Sequence, residues 1–304
     1  MTEYWRSADL VDRAHAWIDD RLAELGIERT GEVAQPHVEE WSTVMRVPTA
    51  DDTVWFKANH EPLRHEAALT ALVAARAPER VPALLAFDAG TGWMLMRDAG
   101  RRLREAVEEE RSLARWHDVL EAYARVQLAC EDDVDALLAL GVPDRRLPTL
   151  AEAYAALLLE LGDADPRWPS PDRVDALCRE LSAYGVHETL QHDDLHDGQV
   201  FLGEGTHLLL DWGDSCVSHP FFSLSVTLEG VIAWGLDDVA GSEDLTSYVE
   251  SYLRPYHERY DADLDAAVAL AMRLGWICRA VNGHLPTAPD MTRTRLGMFV
   301  DGQT

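Results

Sequence analysis

Leu10, Val11, Ala14, Trp17, Ile18, Leu22 and Leu25 recur at helical spacing, and Gly26 follows them. That pattern puts the apolar side chains on one face of a helix over about residues 6–25, with the glycine as its stop. The helix is expected to pack on the segments that follow through Trp17 and Leu22. The period then changes. His37–Trp41, Thr43–Pro48 and Thr53–Ala58 are short alternating or β-rich runs, and the Ala-Asp-Asp between the last two suits a hairpin turn. Pro62 falls at the first turn of a predicted helix that runs through Ala67, Leu69 and Val73. Two further strand-like runs, Ala83–Asp88 and Trp93–Arg97, are separated by Ala-Gly-Thr-Gly.

After Arg97 helical stripes take over. Leu113, Trp116, Leu120, Tyr123 and Val126 mark one helix face, and similar stripes run through 149–161, 172–184, 221–234, 243–256 and 263–283. Only Gln199–Leu202 and His207–Leu210 interrupt them as β-like runs. The pattern predicts an α+β protein of two lobes. Residues 1–97 form a small lobe with an antiparallel sheet of about five strands, and residues 98–304 a larger, mostly helical lobe carrying one hairpin. Arg97–Gly100 is the expected connector, and a cleft between two lobes is a preferred place for a ligand.

Charge narrows the picture. The chain has 304 residues, 54 of them acidic and 27 basic, a formal net charge of −27. A polyanion would be repelled unless a local basic stripe existed. The densest basic cluster, Arg101, Arg102 and Arg104, runs at once into acidic residues, so no nucleic-acid partner is expected. No apolar stretch approaches membrane-span length, and the first residues lack the basic-then-apolar pattern of a signal peptide. Cys130, Cys178, Cys216 and Cys278 lie far apart, without a CxxC pair. The expectation is a cytoplasmic protein without a membrane partner, a monomer or homodimer.

The densest polar chemistry lies in Leu190–Phe201, which reads LQHDDLHDGQVF. A short gap leads to His207-Leu208-Leu209-Leu210-Asp211-Trp212-Gly213-Asp214. An acidic residue directly after three leucines sits at the end of a buried strand, where a carboxylate is costly unless something satisfies it. A hairpin between the two segments brings Asp194, Gln199 and Asp211 toward one another. Two carboxylates and an amide oxygen are hard donors suited to magnesium shared with phosphates. Two other readings compete: a capping and turn cluster, and a zinc site from His192 and His196, although HDDLH lacks the HExxH arrangement. In the first lobe, Lys57 ends the apolar run Val54-Trp55-Phe56. By itself it reads as an edge-strand lysine with its amine in water.

HDDLHDGQ followed by LLLDWGD resembles the catalytic loop and metal-binding loop of the aminoglycoside phosphotransferase family, whose usual loop text is HGDLHxGN. The resemblance extends over most of the chain and implies a bilobal protein-kinase-like fold, with ATP and Mg2+ as cofactors. It makes Asp194 the catalytic aspartate that orients a substrate hydroxyl and accepts its proton. It makes Asp211 and Gln199 the metal ligands, with glutamine where most members have asparagine. His192 becomes the structural histidine of the loop. Asp193 stands in place of the usual glycine and Asp197 of a frequent proline, neither with an evident effect on the chemistry. Lys57 resembles the lysine that holds the α- and β-phosphates. Its glutamate partner is best assigned to Glu66, with Glu61 the weaker alternative. Ser42 and Thr43 take the place of a glycine-rich phosphate loop. Met94–Asp98 resembles the adenine hinge, through Met96 and Asp98. Where members often read GDPxxDLA this chain has Ser218-His219-Pro220-Phe221-Phe222-Ser223-Leu224. Ser223 thus replaces an aspartate that supports the catalytic loop, which implies altered support of the loop without loss of chemistry.

The implied activity is transfer of the γ-phosphate to a hydroxyl of a small molecule, aminoglycoside-like, amino sugar or other metabolite. Trp234, Trp276, Arg279 and Asn282 are candidates to line the acceptor pocket, and each has an ordinary structural use as alternative. The acidic surface suits a cationic acceptor and an uncharged one almost equally. A non-catalytic, regulatory nucleotide-binding pseudokinase is the alternative. Lys57, Asp194 and Asp211 favour the enzyme, and Gln199 and Ser223 leave room for the pseudokinase.

Overall fold

The structure is a computed structural model that describes residues 2–162 and 165–301. In chain order the N-terminal elements are α1 (Thr2–Trp5), α2 (Ala8–Leu25), β1 (Ala34–Val38), β2 (Ser42–Pro48), β3 (Thr53–Asn59), α3 (Glu66–Arg76), β4 (Leu84–Asp88), β5 (Trp93–Arg97) and β6 (Arg101–Arg102). Next come α4 (Leu103–Glu110), α5 (Arg115–Ala129), α6 (Val134–Ala139), α7 (Leu147–Leu161) and α8 (Pro171–Ser182). They are followed by β7 (Thr189–Gln191), β8 (Val200–Gly203), β9 (Thr206–Leu209), β10 (Cys216–Ser218), α9 (Thr246–His257), α10 (Leu264–Asn282) and α11 (Pro289–Asp301).

The chain forms two compact units. The first takes the chain up to Arg101 together with Phe201–Gly213, and the second takes Arg102–Val200 and the chain from Asp214 onward. Segment 201–213, expected within 98–304, thus lies in the first unit. The cause is local: Arg80 donates to the Thr206 hydroxyl at 2.8 Å, and that hydroxyl donates to the Glu79 carbonyl at 3.2 Å.

The first unit is built on a five-stranded antiparallel sheet in the order β1-β2-β3-β5-β4. Helix α2 ends where the sequence predicts, at Gly26 with φ +69°, a left-handed conformation that glycine adopts without penalty. Its buried face, Leu10, Ala14, Ile18 and Leu22, packs on Met45, Val47, Val54, Phe56 and Leu95. Trp17 sits edge-on to Phe56 and Trp93, at centroid distances of 5.7 and 5.9 Å. Leu22→Ala is expected to cost about 2–5 kcal/mol, read as a lowered denaturant midpoint with an unchanged slope. An unchanged midpoint would show that α2 does not stabilise the unit.

Two local expectations shift. The first strand is Ala34–Val38, earlier than 37–41. The Gln35 amide pins it by donating to the Thr43 hydroxyl at 2.8 Å, and the Glu39 N–H closes the turn onto the Ser42 carbonyl at 2.9 Å. Pro62 lies in a separate 3-10 turn, Glu61–Leu63, and the helix itself starts at Glu66.

In the second unit α5 packs on α9, α7 on α8, and α10 on α8 and α11. The stripe 221–234 is not an α-helix. It breaks into 3-10 turns at Pro220–Phe222 and Ile232–Trp234 around a π-helical turn, Ser225–Glu229. Ser225 donates its hydroxyl to the Met272 carbonyl at 2.7 Å, which ties the segment to α10, and Gly235 at φ +62° ends it. The β-like runs are not confined to two, because β7 and β10 also pair antiparallel, Cys216 opposite Gln191. Both strands are buried throughout, so no polar alternation betrayed them. Among the described residues no helix is long and apolar enough to cross a membrane.

Candidate active site

The first unit gathers two carboxylates around one lysine. Along β3 the side chains alternate: Val54, Phe56 and Ala58 enter the core, so Trp55, Lys57 and Asn59 fall on the other face. There the Lys57 ammonium lies 2.8 Å from Glu66 Oε1 in α3 and 2.5 Å from Asp211 Oδ1. Asn59, two residues along the same face, donates to Glu66 Oε2. The Glu66 side chain is 1% exposed and that of Asp211 46%, so one partner is structural and the other faces outward. Burial opposes the lysine's charge, but Asp211 and Glu66 outweigh it and hold the ammonium above its ordinary range. Burial pushes the Glu66 carboxyl up, against the pull of Lys57. Lys57 is therefore no edge-strand lysine with its amine in water. Glu61, the other candidate partner, pairs instead with Arg64 at the surface, at 3.0 Å.

Asp211 follows β9 with φ +66°, a conformation uncommon for a residue with a side chain. Two residues on, a Cβ at Gly213 would lie 3.3 Å from Glu66 Oε2, so a larger residue there would crowd the glutamate.

The other residues expected on the nucleotide side lie in the same unit, but several are already engaged. The Thr43 hydroxyl donates to the His37 carbonyl at 3.0 Å and accepts the Gln35 amide. Ser42 opens β2 opposite Asn59 and is buried. Asp98 accepts from the Trp55 indole at 2.6 Å and from the Gly100 N–H at 2.7 Å, so its carboxylate braces the end of β5. Met96 is buried beside Ala67, Met94 and Leu84.

The second unit holds the polar loop, which begins as β7 ends. His192 is fully buried, and its N–H donates to the Tyr123 hydroxyl at 2.8 Å. That hydroxyl is 2.6 Å from Ser223 Oγ. Support of the loop from Ser223 thus runs through a tyrosine of α5. Tyr123→Phe would leave the His192 N–H without that acceptor and is expected to cost about 1–3 kcal/mol. Thermal unfolding checks this, and an unchanged transition would remove the bridge from the account.

Asp193 has φ +64° and is 1% exposed. Its carboxylate accepts from Gln191 at 2.9 Å, Asn282 at 2.8 Å and Arg279 at 3.3 Å. Arg279 also donates to Asp194 Oδ1 at 2.7 Å and lies 3.6 Å from Asp214. Burial opposes its charge, but Asp193, Asp214 and Asp194 outweigh that and hold the guanidinium firmly protonated. Asn282 further donates to the Asp214 carbonyl at 2.7 Å. Asp197 is gripped by Arg104 through two N–H groups, at 2.9 and 2.7 Å. The Leu195 carbonyl accepts from Thr227 at 2.8 Å, and the Gln199 N–H closes a turn onto the His196 carbonyl at 2.9 Å. His196 Nδ1 accepts the Gly198 N–H at 3.0 Å, a loop-stabilising use.

Of the candidate acceptor residues, Arg279 and Asn282 are thus spent on the loop. Trp276 is buried, with its indole donating to Glu229, and Trp234 is 39% exposed. Sequence reasoning missed Asn59, Tyr123, Asp214, Glu229 and the work of Asp193. Asn59 was within reach, because it stands two residues after Lys57 on the same strand face.

A buried lysine–glutamate pair on a five-stranded sheet, an aspartate after the following hairpin, and a polar loop in a helical unit are the parts of a protein-kinase-like fold. The family model described as the phosphotransferase enzyme family matches residues 34–267, and the chain belongs to that family. No curated protein sequence matches it significantly. Among solved structures it is similar to macrolide 2'-phosphotransferase MphH from Brachybacterium faecium, with 15% identity and a TM-score of 0.56 over 94% of this chain and 98% of that one. An ethanolamine kinase from Plasmodium vivax aligns with 12% identity and a TM-score of 0.59, over 88% and 82%. The enzyme APH(2")-IIa, in a ternary complex with streptomycin and ATP, aligns with 12% identity and a TM-score of 0.60, over 93% and 95%. Family and fold together make the protein a small-molecule kinase.

Proposed function

We propose that the protein is an ATP- and magnesium-dependent O-phosphotransferase that moves the γ-phosphoryl group to a hydroxyl of a small molecule. The observation that carries this reading is Lys57, held between buried Glu66 and outward-facing Asp211. The lysine is fixed and stays charged, ready to bind the α- and β-phosphates. Asp211 and Gln199 supply a carboxylate and an amide oxygen, a donor set that fits magnesium completed by phosphate oxygens. Magnesium held there would neutralise charge on the transferring phosphates. Asp194 orients the acceptor hydroxyl and takes its proton, while Arg279 grips its other side. His192 and Leu195 anchor the loop that carries it.

Of the similar structures one is named for macrolides, one for ethanolamine, and one holds streptomycin with ATP, and one fold serves many acceptors. The acceptor is therefore read as a hydroxylated small molecule, amino sugar, aminoglycoside-like compound or other metabolite. The partly buried Glu229 beside Trp276 favours an amine-bearing one. The test is ADP release from magnesium-ATP against aminoglycosides, macrolides, sugars, amino sugars, choline and homoserine. At least one acceptor is expected to stimulate release and gain a phosphate in mass spectrometry. Tight magnesium-ATP binding without release on the whole panel would favour the pseudokinase.

A further inference from the structure

The feature that neither the family text nor the proposed chemistry accounts for is Asp193. It stands where the loop usually has glycine, in a left-handed conformation at φ +64° that costs an ordinary L-residue about 1–2 kcal/mol. It also carries a carboxylate that is 1% exposed, and a buried charge is expensive unless it is paired and hydrogen-bonded. Everything around Asp193 answers that cost. Gln191 and Asn282 donate to its two oxygens, and Gln191 is itself held by Cys216 at 2.7 Å and Ser218 at 3.2 Å. The cation is Arg279, in the last turn of α10, with a side chain 8% exposed. A planar guanidinium presents its N–H groups in a fixed fork, so holding one arm aims the other. Here one terminal nitrogen faces Asp193 and Asp214, and the second donates to Asp194 Oδ1 at 2.7 Å.

We propose that Arg279, anchored by Asp193, is a positioning residue that fixes the Asp194 carboxylate in its reactive orientation. The inference rests on the phosphotransferase reading and on Asp194 as the residue that aims the acceptor hydroxyl. Asp194 is 27% exposed, its Oδ2 lies 3.8 Å from His196 Nε2, and the 2.7 Å bond from Arg279 to Oδ1 is the closer restraint on its rotamer. Holding one oxygen on Arg279 leaves a single orientation of the pair, and small errors of aim are costly in phosphoryl transfer. A purely structural ion pair between α10 and the loop would need Asp193 and Asp214 alone. The contact with Asp194 is the part that bears on turnover.

The experiment compares the full-length parent with Arg279→Gln, Arg279→Lys, Asp193→Gly, Asp194→Asn and the double variant Arg279→Gln/Asp194→Asn. ADP release from magnesium-ATP is measured with water and with the acceptor panel, alongside ATP affinity by calorimetry. Arg279→Gln is expected to lower turnover about ten- to a hundredfold with ATP affinity within about twofold of the parent. Arg279→Lys is expected to recover only part of that, because an ammonium cannot hold both carboxylates with one planar fork. Asp193→Gly keeps Arg279 beside Asp194 and Asp214 and relieves the backbone, so it is the second test of the anchor should Arg279→Gln not fold. Its turnover is expected to fall at least about fivefold, because the fork loses its anchor. Adding Arg279→Gln to Asp194→Asn is expected to cost less than about twofold more, since the residues act as one unit.

Parental turnover in both Arg279→Gln and Asp193→Gly, with Asp194→Asn strongly impaired, would overturn the positioning role alone. So would losses that multiply in the double variant, or faster turnover in Arg279→Gln, which would make the contact a block. A parent that releases no ADP with any acceptor, or an Asp194→Asn variant at parental rate, would overturn the phosphotransferase reading and this inference with it.

Discussion

Asp194→Asn is expected to lower turnover at least about a hundredfold while leaving ATP affinity near that of the parent, because a positioned general base contributes roughly 10²- to 10⁴-fold. Asparagine keeps the shape and removes the charge, so the variant tests chemistry rather than packing. The fold is expected to survive, because Arg279 retains Asp193 at 3.3 Å and Asp214 at 3.6 Å. The loop also keeps its backbone ties at His192 and Leu195. The effect is expected in turnover and not in nucleotide binding, since Lys57, the lysine proposed to hold the phosphates, belongs to the other unit and has partners of its own. Calorimetry with ATP and steady-state ADP release separate the two. Equal turnover in parent and variant would end the catalytic assignment of Asp194.

The parts legible in the sequence were those in which one periodicity ran long enough to be read. Helix α2 and strands β2 to β5 followed from spacing and turn residues, and Gly26 marked the helix end where a left-handed cap occurs. The pairing of Lys57 with Glu66 was legible only through the family resemblance, since a lysine at the end of an apolar strand by itself reads as one with its amine in water. Other features had no local signal. Strands β7 and β10 are three residues each and wholly buried, so neither length nor alternation could separate them from core helix. The stripe 221–234 carried helical spacing, yet Ser225 bonds a carbonyl of α10, a tertiary contact that outweighed propensity. Arg279 and Asn282 were read as pocket residues because they share the segment Trp276–His284 with an aromatic and other polar side chains. Their partners, Asp193 and Asp214, lie far away in sequence, and a buried network of that kind is visible only once the chain is folded. Asp193 itself was an overlooked clue, since a carboxylate in a glycine position calls for a cation nearby.

Asp211→Asn is expected to remove magnesium-dependent turnover, with a loss of at least about a hundredfold, and to weaken ATP binding only when magnesium is present. Asparagine is the cleaner substitution because Asp211 sits at φ +66°, which asparagine tolerates better than alanine. Lys57 stays charged in the variant, because Glu66 remains 2.7 Å from its ammonium. Any loss therefore reports on the missing carboxylate and not on a mobile lysine. Gln199 supplies the comparison. Gln199→Asn keeps an amide oxygen and is expected to retain substantial turnover, whereas Gln199→Ala removes the donor and is expected to raise the magnesium requirement. A magnesium titration of ADP release, repeated with manganese, distinguishes these outcomes, since a weakened oxygen site still responds to a higher metal concentration. If Asp211→Asn and Gln199→Ala both kept the parent's magnesium dependence and rate, the two residues would not be metal ligands, and Asp211 would be left as a partner of Lys57 alone.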